Sequence, residues 1–434
     1  MRILFLTHYY PPEVNAPASR TSEHCRIWAS AGHHVTVITP APSHPRGLIY
    51  PGFSNRLFQT ETIDGVEVVR VWTYLAANEG FAKRTLNYVS FMIFALLAVP
   101  RLGRPDVIVT TSPQFFCGLA GLVAKWMRRR PWVLEVRDLW PESIVTVGAM
   151  RKGVLSRTLE ALEGFAYRNA DHIVSVTDSF VSHIALRCQG ADKISVVKNG
   201  VDLTLFQRNA DADPDAVKAR FGLAGRFIAA YVGTHGMAHG LDTIIDAALL
   251  LRHDPRFGFL MVGDGAEQSR LAERARTLAL ENLRIVGQRP KSDMPGIWAA
   301  TDASLILLRR SDTFTKVLPS KMFEAMAMGC PIILGVEGEA KALLDEACAG
   351  MAITPQSAEE LVAALVQLAD NPEQCTRLAQ SGERYVREHY DRTLLAGRYL
   401  SLLADVALRR RPPAPGDAEH VAPLDRAASG KDSC

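Results

Sequence analysis

The sequence predicts an α/β protein with two doubly wound, Rossmann-like domains that face a cleft. The chain has 434 residues, too many for one hydrophobic core and suited to two domains of about 200 residues each. Short apolar runs alternate with helix-length segments, as expected of parallel sheets covered on both faces. This alternation breaks near Asn199-Gly200 and begins again at Phe227. Ligands of such sheets bind beyond the carboxyl ends of the strands, so we expect a site between the domains. Two independent domains with separate sites remain the alternative.

The first domain is predicted to span residues 1–198. A Pro-rich loop follows its first strand, and a helix over residues 18–31 ends at Gly32. Its strands are predicted at residues 2–6, 34–39, 66–71, 107–110, 132–136, 173–176 and 194–197.

The second domain is predicted to span residues 199–388, with strands at residues 227–232, 259–262, 283–286, 303–308 and 331–334. A helix within residues 389–408 is apolar on one side, so it has a face with which to pack back on the first domain. The polar and Pro-containing tail, residues 409–434, predicts disorder.

Composition and charge exclude several classes of protein. The net charge is only +3, and no Arg-rich arm is present, so we expect no nucleic-acid partner. The seven cysteines include no C-x-x-C pair, which indicates a reducing compartment. The apolar run at Ile3–Leu6 is too short for a signal peptide, and we expect a cytoplasmic protein. No cluster has metal-ligand spacing, so the sequence predicts no metal and no cofactor.

The most apolar segment, residues 85–99, contains no charge and is flanked by Lys83, Arg84, Arg101 and Arg104. Its 15 residues are fewer than the about 20 that a membrane-spanning helix needs. Two interpretations remain open. The segment is either a buried core helix or a helix that inserts into one leaflet, with its basic flanks on anionic headgroups.

Two elements of the second domain predict a binding site for a nucleoside diphosphate. Gly233, Thr234, Gly236 and His239 follow the strand at residues 227–232, and glycines at a strand-to-helix turn let backbone N–H groups approach a phosphate. The spacing is neither G-x-G-x-x-G nor a P-loop, which disfavours nicotinamide and ATP chemistry. The turn at Gly263-Asp264 is a further candidate for the wall of this cleft.

The segment Pro319–Pro331 predicts a helix that begins at Pro319 or Ser320 and ends at Gly329. Lys321 and Glu324 share one face of this helix. A lysine at this end of a helix needs an anion beside it, and a glutamate can accept hydrogen bonds from both hydroxyls of a ribose. An ordinary i, i+3 salt bridge is the alternative.

In their order along the chain, Val232-Gly233, Gly263-Asp264-Gly265 and Pro-Ser-Lys-x-x-Glu-Ala-Met-Ala-x-Gly-x-Pro resemble the second domain of retaining GT-B glycosyltransferases of family 4. Tyr9–Arg20 and Arg137–Ser143 resemble the WbuB-like branch, which is associated with fucosamine transfer in the assembly of surface polysaccharides. The resemblance implies a UDP-N-acetyl-fucosamine-like donor, a polyprenyl-diphosphate-linked saccharide as acceptor, and assembly of O-antigen or capsule.

The resemblance also assigns residues to the donor side, with two departures from the family pattern. Glu324 matches the second glutamate of the family's E-x7-E motif, whereas Lys316 replaces the first. Thr234 and His239 replace the arginine and lysine that often hold the diphosphate. Lys321, Ser320, Lys316 and backbone N–H groups are therefore the expected donor-binding groups, and Lys321 is expected to stabilise the leaving diphosphate.

On the acceptor side the resemblance points to a loop with Glu13, Asn15, Ala16 and Arg20. Asn15 replaces a glycine, and we expect it to adopt the left-handed conformation. Arg20 either reaches an acceptor phosphate or lies on the surface. Arg137 and Asp138 follow a strand and are, with Lys321, the candidate catalytic residues. Glu142 is either a second carboxylate of the site or an acidic residue at a helix start.

The predicted function is therefore sugar transfer with retention by an N-acetylfucosaminyltransferase-like enzyme. We expect it to be cytoplasmic and peripherally bound to the inner face of the plasma membrane. A UDP-sugar 2-epimerase and a non-catalytic scaffold of the same fold are the two alternatives.

Overall fold

The computed structural model describes residues 1–76, 81–112, 115–142, 153–208 and 213–409. The N-terminal sheet has the order β3-β4-β2-β1-β5-β6-β7-β8. All its neighbouring strands are parallel except β3, which pairs antiparallel with β4. The strands are β1 (Arg2–Leu6), β2 (His34–Pro40), β3 (Phe58–Ile63), β4 (Val66–Val71), β5 (Val107–Thr111), β6 (Trp132–Val136), β7 (His172–Ser175) and β8 (Ile194–Val196).

Five described helices of the N-terminal half cover this sheet. They are α1 (Ala16–Ser30), α2 (Phe81–Ala98), α3 (Phe115–Arg128), α4 (Val154–Asn169) and α5 (Ser179–Cys188). Side chains of α2, α3, α4 and α5 share one hydrophobic core on one face of the sheet. The other face packs against α1 and against the last described helix of the chain. Helices on both faces explain why these strands are apolar at almost every position.

The C-terminal sheet is entirely parallel, in the order β11-β10-β9-β12-β13-β14. Its strands are β9 (Phe227–Val232), β10 (Phe257–Val262), β11 (Leu283–Val286), β12 (Ala303–Leu307), β13 (Ile332–Gly335) and β14 (Gly350–Ala352). The described helices of this half are α6 (Pro214–Arg220), α7 (Asp242–Leu250), α8 (Gln268–Thr277), α9 (Met294–Ala299), α10 (Lys321–Ala327), α11 (Glu339–Ala347), α12 (Ala358–Asp370), α13 (Pro372–His389) and α14 (Arg392–Arg409).

The polypeptide passes between the domains at two places that lie side by side. The Val201 N–H donates to the Tyr390 carbonyl at 3.0 Å, and the Arg392 N–H donates to the Val201 carbonyl at 2.9 Å. Gly200 is required here, because a Cβ at this position would lie 2.3 Å from the Tyr390 carbonyl oxygen. Beyond this crossing, α14 packs on α1, and the Trp28 indole donates to the Ala396 carbonyl at 2.9 Å. The last described helix thus belongs to the N-terminal core.

Helix α2 has one buried and one exposed face. Phe91 and Ala95 are fully buried against the sheet, whereas Leu86, Ile93 and Leu97 are each about half exposed. Residues Ala82–Arg101 are long and apolar enough to cross a membrane, the only such stretch in the described ranges, and a third of it is buried. The helix therefore combines features of both interpretations of residues 85–99, since it packs on the domain and presents apolar side chains outward.

The predicted fold class is confirmed, because the structure contains two Rossmann-like parallel sheets in tandem. Strands β1, β4, β6, β9 and β11 match their predicted bounds, and the other predicted strands shift by one or two residues. Strands β3 and β14 were not predicted. β3 lies at the sheet edge and has four consecutive polar residues, 59–62, and β14 has only three residues. The predicted disordered tail, apart from Arg409, lies outside the described residues.

Candidate active site

The loop that follows β9 forms the floor of the candidate donor site. Strand order reverses between β9 and β12, which is where ligands bind in open α/β sheets. Gly233 adopts a φ of 145°, and a Cβ there would lie 3.1 Å from Lys321 Nζ. The Tyr231 hydroxyl donates to the Thr234 carbonyl at 2.8 Å and fixes the start of the loop. Gly236 follows in an extended conformation, before the helical turn that contains His239.

The turn after β10 packs directly on this loop. A Cβ on Gly263 would lie 1.8 Å from the Gly233 carbonyl oxygen, so only glycine permits this approach. The side chain of Asp264 accepts the Gly265 N–H at 2.7 Å and lies 3.2 Å from Arg46 of the N-terminal domain. Gly263 therefore supports the donor loop, whereas Asp264 contacts the other domain.

Lys321 provides a buried amine at the site. Its Nζ is buried without a hydrogen-bond partner among the described residues, and it lies 3.7 Å from the centroid of the Tyr231 ring. Burial lowers its pKa to about 7, although the negative charge of Glu324 acts in the opposite direction. An amine held in this way can bind an anion that enters beside Gly233.

Two histidines lie beside this lysine. His235 is fully buried, and neither of its ring nitrogens has a partner among the described residues. Burial and the neighbouring Lys321 lower the pKa of His235 to about 4 and that of His239 to about 3. Both imidazoles are therefore neutral at physiological pH. His235 was not predicted as a site residue, although it lies in the middle of the predicted phosphate loop.

Glu324 lies one turn after Lys321 on α10. The Trp298 indole N–H points at its carboxylate at 3.4 Å, and burial raises its pKa. Ser320 immediately precedes α10, and its side chain makes no capping hydrogen bond. Ser320 and Glu324 are both partly exposed. Among the described contacts of Lys321 and Glu324 there is no mutual salt bridge within 4 Å, so the ordinary i, i+3 pair is not formed.

Lys316 points across the cleft. Its Nζ lies 3.8 Å from the Glu142 carboxylate, and the other oxygen of that carboxylate lies 3.3 Å from His183. Of the two interpretations of Glu142, its position opposite the second domain favours a residue of the cleft wall.

The acceptor-side loop is held by Glu13 and Asn15. The Glu13 carboxylate accepts the Ser43 and His44 N–H groups, each at 2.9 Å, and burial raises its pKa to about 7. The predicted left-handed conformation of Asn15 is wrong. Its φ of −148° is extended, because Asn15 is the N-cap of α1 and its side chain accepts the Ala18 N–H, with Ala16 as the first helical residue.

Arg20 neither faces an acceptor nor lies on the surface, so both interpretations of this residue are wrong. It is 1% exposed and pairs with Glu135 at 3.0 Å. Its other nitrogens donate to the Val197 and Lys198 carbonyls and to Asn199. Four of the five N–H donors of this buried guanidinium are thus used inside the protein, so it is not available to an acceptor phosphate.

Arg137 and Asp138 lie at the carboxyl end of β6. The Arg137 guanidinium donates to the Pro17 carbonyl at 3.3 Å and lies 4.0 Å from Glu135. Burial lowers its pKa to about 9, while Glu135 raises it. Asp138 is partly exposed. Its charge contributes to the raised pKa of Tyr167, so it lies close to that ring.

An aromatic cluster at the cleft mouth was not predicted. The rings of Tyr9 and His44 are 5.1 Å apart, and His8 packs edge-on against both Tyr9 and Tyr88. Arg84 donates to the Tyr88 hydroxyl at 3.3 Å. His8 and Tyr9 lie two and three residues after the end of β1, a position that could have indicated the cleft. Tyr88 was not identified as a site residue because it lies within the apolar segment, residues 85–99.

A cavity of about 560 Å³ lies between the two domains, on the side of the acceptor loop. Lys291 from the second domain borders it and pairs with Glu23 of α1, which also pairs with Arg392 at 3.0 Å. The cavity is lined by Pro11, Pro12, Glu13, Val14, Ser19, Ser22 and Tyr50 from the first domain and by Gln288, Arg289, Pro290 and Lys291 from the second.

Two family models match the chain, one in each domain. The "Glycosyl transferase 4-like domain" matches residues 15–200, and "Glycosyl transferases group 1" matches residues 215–385. The chain belongs to the family 4 glycosyltransferases of the GT-B fold. The two matches meet where the chain first crosses between its domains.

One relative of this glycosyltransferase is the "Putative colanic acid biosynthesis glycosyl transferase WcaI" of Escherichia coli (strain K12). It is 28% identical over 395 residues, covering 88% of this chain and 96% of the relative. Among solved structures, sucrose-phosphate synthase from Thermosynechococcus elongatus superimposes with a TM-score of 0.72 at 17% identity, over 94% of this chain and 99% of that chain. Anabaena Alr3699/HepE in complex with UDP-glucose superimposes with a TM-score of 0.69 at 18% identity, over 93% of this chain and 100% of that chain.

Proposed function

We propose that this glycosyltransferase moves a sugar from a UDP-sugar to a lipid-linked saccharide, with retention of anomeric configuration. The observation that carries the donor assignment is the buried Nζ of Lys321 beside Gly233, which has no hydrogen-bond partner in the described part of the chain. An amine there can bind the diphosphate and stabilise the negative charge that develops as it leaves. Glu324, one turn away, can accept hydrogen bonds from the ribose hydroxyls. HepE, a protein of the same fold, binds UDP-glucose.

The donor assignment can be tested by calorimetry with UDP. We expect Lys321→Ala and Glu324→Ala each to weaken UDP binding at least roughly tenfold, since each removes a charge-assisted contact. Lys341→Ala is the matched control, because Lys341 is half exposed and its one ion pair among the described residues is with Asp345 on its own helix. Equal affinity in all four proteins would overturn the donor assignment.

For the sugar and the acceptor we propose UDP-N-acetyl-fucosamine and a polyprenyl-diphosphate-linked saccharide of O-antigen or capsule assembly. The similarity to WcaI, named for colanic acid biosynthesis, supports surface-polysaccharide assembly, and the motifs at Tyr9–Arg20 and around Arg137 support the WbuB-like branch. The test is a screen of UDP-sugars with a polyprenyl-diphosphate-linked acceptor, with the anomer assigned by NMR. An inverted product would contradict retention. Epimerised donor in the absence of acceptor would indicate the 2-epimerase instead, and a chain that binds no nucleotide would indicate a scaffold.

Arg137 and Asp138 are proposed to act where donor and acceptor meet, because they follow a strand whose carboxyl end faces the cleft. No metal is proposed to take part. In the described ranges, no group of three His, Cys, Asp or Glu side chains is arranged to hold a metal ion, and Lys321 can supply the positive charge instead. Activity that persists in excess EDTA is the expected result, and activity restored only by added Mg²⁺ would contradict it.

We propose that the outward face of α2 binds the inner surface of the plasma membrane. Leu86, Ile93 and Leu97 form an exposed apolar stripe on this helix, and basic residues flank it at both ends. Apolar area and positive charge together favour anionic lipid surfaces. Sedimentation with vesicles that contain anionic phospholipid should fall severalfold for Ile93→Asp. Asp405→Asn, remote on α14, should leave it unchanged, and equal sedimentation of all three proteins would overturn this assignment.

A further inference from the structure

The donor pocket contains three nitrogen-bearing side chains around one tyrosine ring. Lys321 Nζ lies 3.7 Å from the centroid of Tyr231, and the rings of His235 and His239 lie 5.9 and 6.0 Å from it. Lys321 Nζ, both nitrogens of His235 and Nδ1 of His239 are buried without a hydrogen-bond partner in the part of the chain that the structure describes. The pocket is thus rich in unused nitrogen atoms.

The acidic groups that face this pocket are engaged elsewhere. Asp264, on the turn after β10, has a charge that raises the pKa of His235, but its oxygens accept hydrogen bonds from the Gly265 N–H and from Arg46. Glu324, on α10, has a charge that raises the pKa of Lys321, but it forms no ion pair with this lysine. Its carboxylate accepts a hydrogen bond from the Trp298 indole instead. Tyr231 contributes only a ring face, since its hydroxyl donates to Thr234. The described surroundings of Lys321 thus lack a paired carboxylate.

A buried amine in such surroundings is most stable without its proton, because burial disfavours the charged form. A bound diphosphate reverses this preference, since its negative charges supply the missing counter-ion. The lowered pKa of Lys321, about 7, agrees with this geometry. The family's usual arginine in the loop would keep its charge when buried. Thr234 and His239 stand here where the family often has arginine and lysine, so this permanent charge is missing.

We propose that Lys321 is a neutral amine in the empty pocket at slightly alkaline pH and takes one proton from solvent when the donor diphosphate binds. The proton comes from the buffer and is accepted by the lone pair of Nζ, and no covalent bond to the donor forms. His235 and His239 remain neutral beside it. This inference rests on the proposed donor site and adds that donor affinity depends on pH.

Calorimetry of UDP binding at about pH 8, in buffers of different ionisation enthalpy, measures the protons taken up. The terminal phosphate of UDP, whose pKa is roughly 6, is already ionised at this pH and cannot account for uptake. We expect roughly 0.7 to 1 proton per UDP and a loss of affinity of roughly five- to tenfold between about pH 7.5 and 8.5. Binding without proton uptake would overturn this inference and leave the donor assignment intact, whereas no binding at all would overturn both.

Lys321→Arg provides the sharper test, because arginine keeps its charge when buried. It should bind UDP with uptake reduced to roughly a third or less and with little pH dependence. Uptake unchanged in this variant would overturn the assignment to Lys321. If Lys321→Arg does not bind UDP, His239→Lys tests the same coupling between UDP binding and proton uptake. A second amine beside Lys321 should increase the number of protons taken up per UDP above that of the wild type. Lys341→Ala should match the wild type throughout, and an equal change there would contradict a local origin.

Discussion

Lys316 Nζ lies 3.8 Å from the carboxylate of Glu142, and this pair joins the second domain to the first across the cleft. Both side chains are about one third exposed. The family pattern has a glutamate where this chain has Lys316, and that glutamate is assigned to the donor sugar. In this chain the side chain at that position is directed at Glu142 on the opposite wall of the cleft. Two roles of Lys316, contact with the sugar and contact with Glu142, can therefore be separated by mutation.

We expect Lys316→Ala and Glu142→Gln to raise the KM for the UDP-sugar by similar, few-fold factors, because an exposed ion pair contributes only about 0.2–1 kcal/mol. If Lys316 acts through Glu142, the double variant should be no worse than either single variant. Steady-state kinetics of the three variants provides this cycle. Additive effects would instead show that Lys316 contacts the sugar directly.

Replacement of Arg20 by methionine should destabilise the protein by about 3 kcal/mol, because it leaves the buried Glu135 carboxylate without its main partner. Burial raises the pKa of Glu135, but Arg20, Arg137 and Thr111 outweigh it, so the pKa is lowered overall. This stabilisation is present above the pKa of the unfolded state and is lost as the pH falls through the folded-state pKa. Denaturant unfolding measures it, with the exposed Arg276→Ala as a control expected to change little.

Glu13→Gln should stabilise the protein at about pH 8 relative to about pH 5. Burial raises the pKa of Glu13 to about 7 from an ordinary value near 4.5, so the folded protein loses stability as the pH rises from about 4.5 to about 7, and the full loss is present above pH 7. A neutral glutamine keeps an oxygen for the Ser43 and His44 N–H groups and removes this cost, about 2–3 kcal/mol. Unfolding free energies at the two pH values test this, and an equal difference between the proteins at both would contradict it.

Gly263→Ala should abolish UDP binding or prevent folding, because the new Cβ would lie 1.8 Å from the Gly233 carbonyl oxygen. The φ of 151° adds strain for any other residue. The matched control is Gly397→Ala in α14, where nothing lies within 4 Å of the added carbon. That change should be neutral or stabilise by up to about 1 kcal/mol. Wild-type UDP affinity in a folded Gly263→Ala protein would contradict the proposed support of the donor loop.

The sequence was sufficient for the parallel sheets and for the two elements of the donor site. Apolar runs and glycine turns are local signals, so β9, the Gly233 loop and α10 could be found without a structure. The partners of Arg20 could not be predicted from the sequence. Glu135 and the Val197 carbonyl are 115 and 177 residues away in sequence, and no local pattern indicates a pairing made by folding. The wrong prediction of a left-handed conformation at Asn15 has the same cause. Asparagine is common both in left-handed turns and at helix N-caps, and the position at which α1 begins decides between the two.

The position of α14 restricts how this enzyme can be divided. A polypeptide cut at residue 200 would leave the N-terminal half without the helix that covers Trp28 and one face of its sheet. The C-terminal half would in turn carry an unsupported apolar helix. Separate expression should therefore yield two aggregation-prone halves, whereas a circular permutant in which α14 precedes β1 would give an N-terminal half with its whole core. Because the two crossings are hydrogen-bonded side by side, we expect any rotation of one domain against the other to have its axis near Val201 and Tyr390.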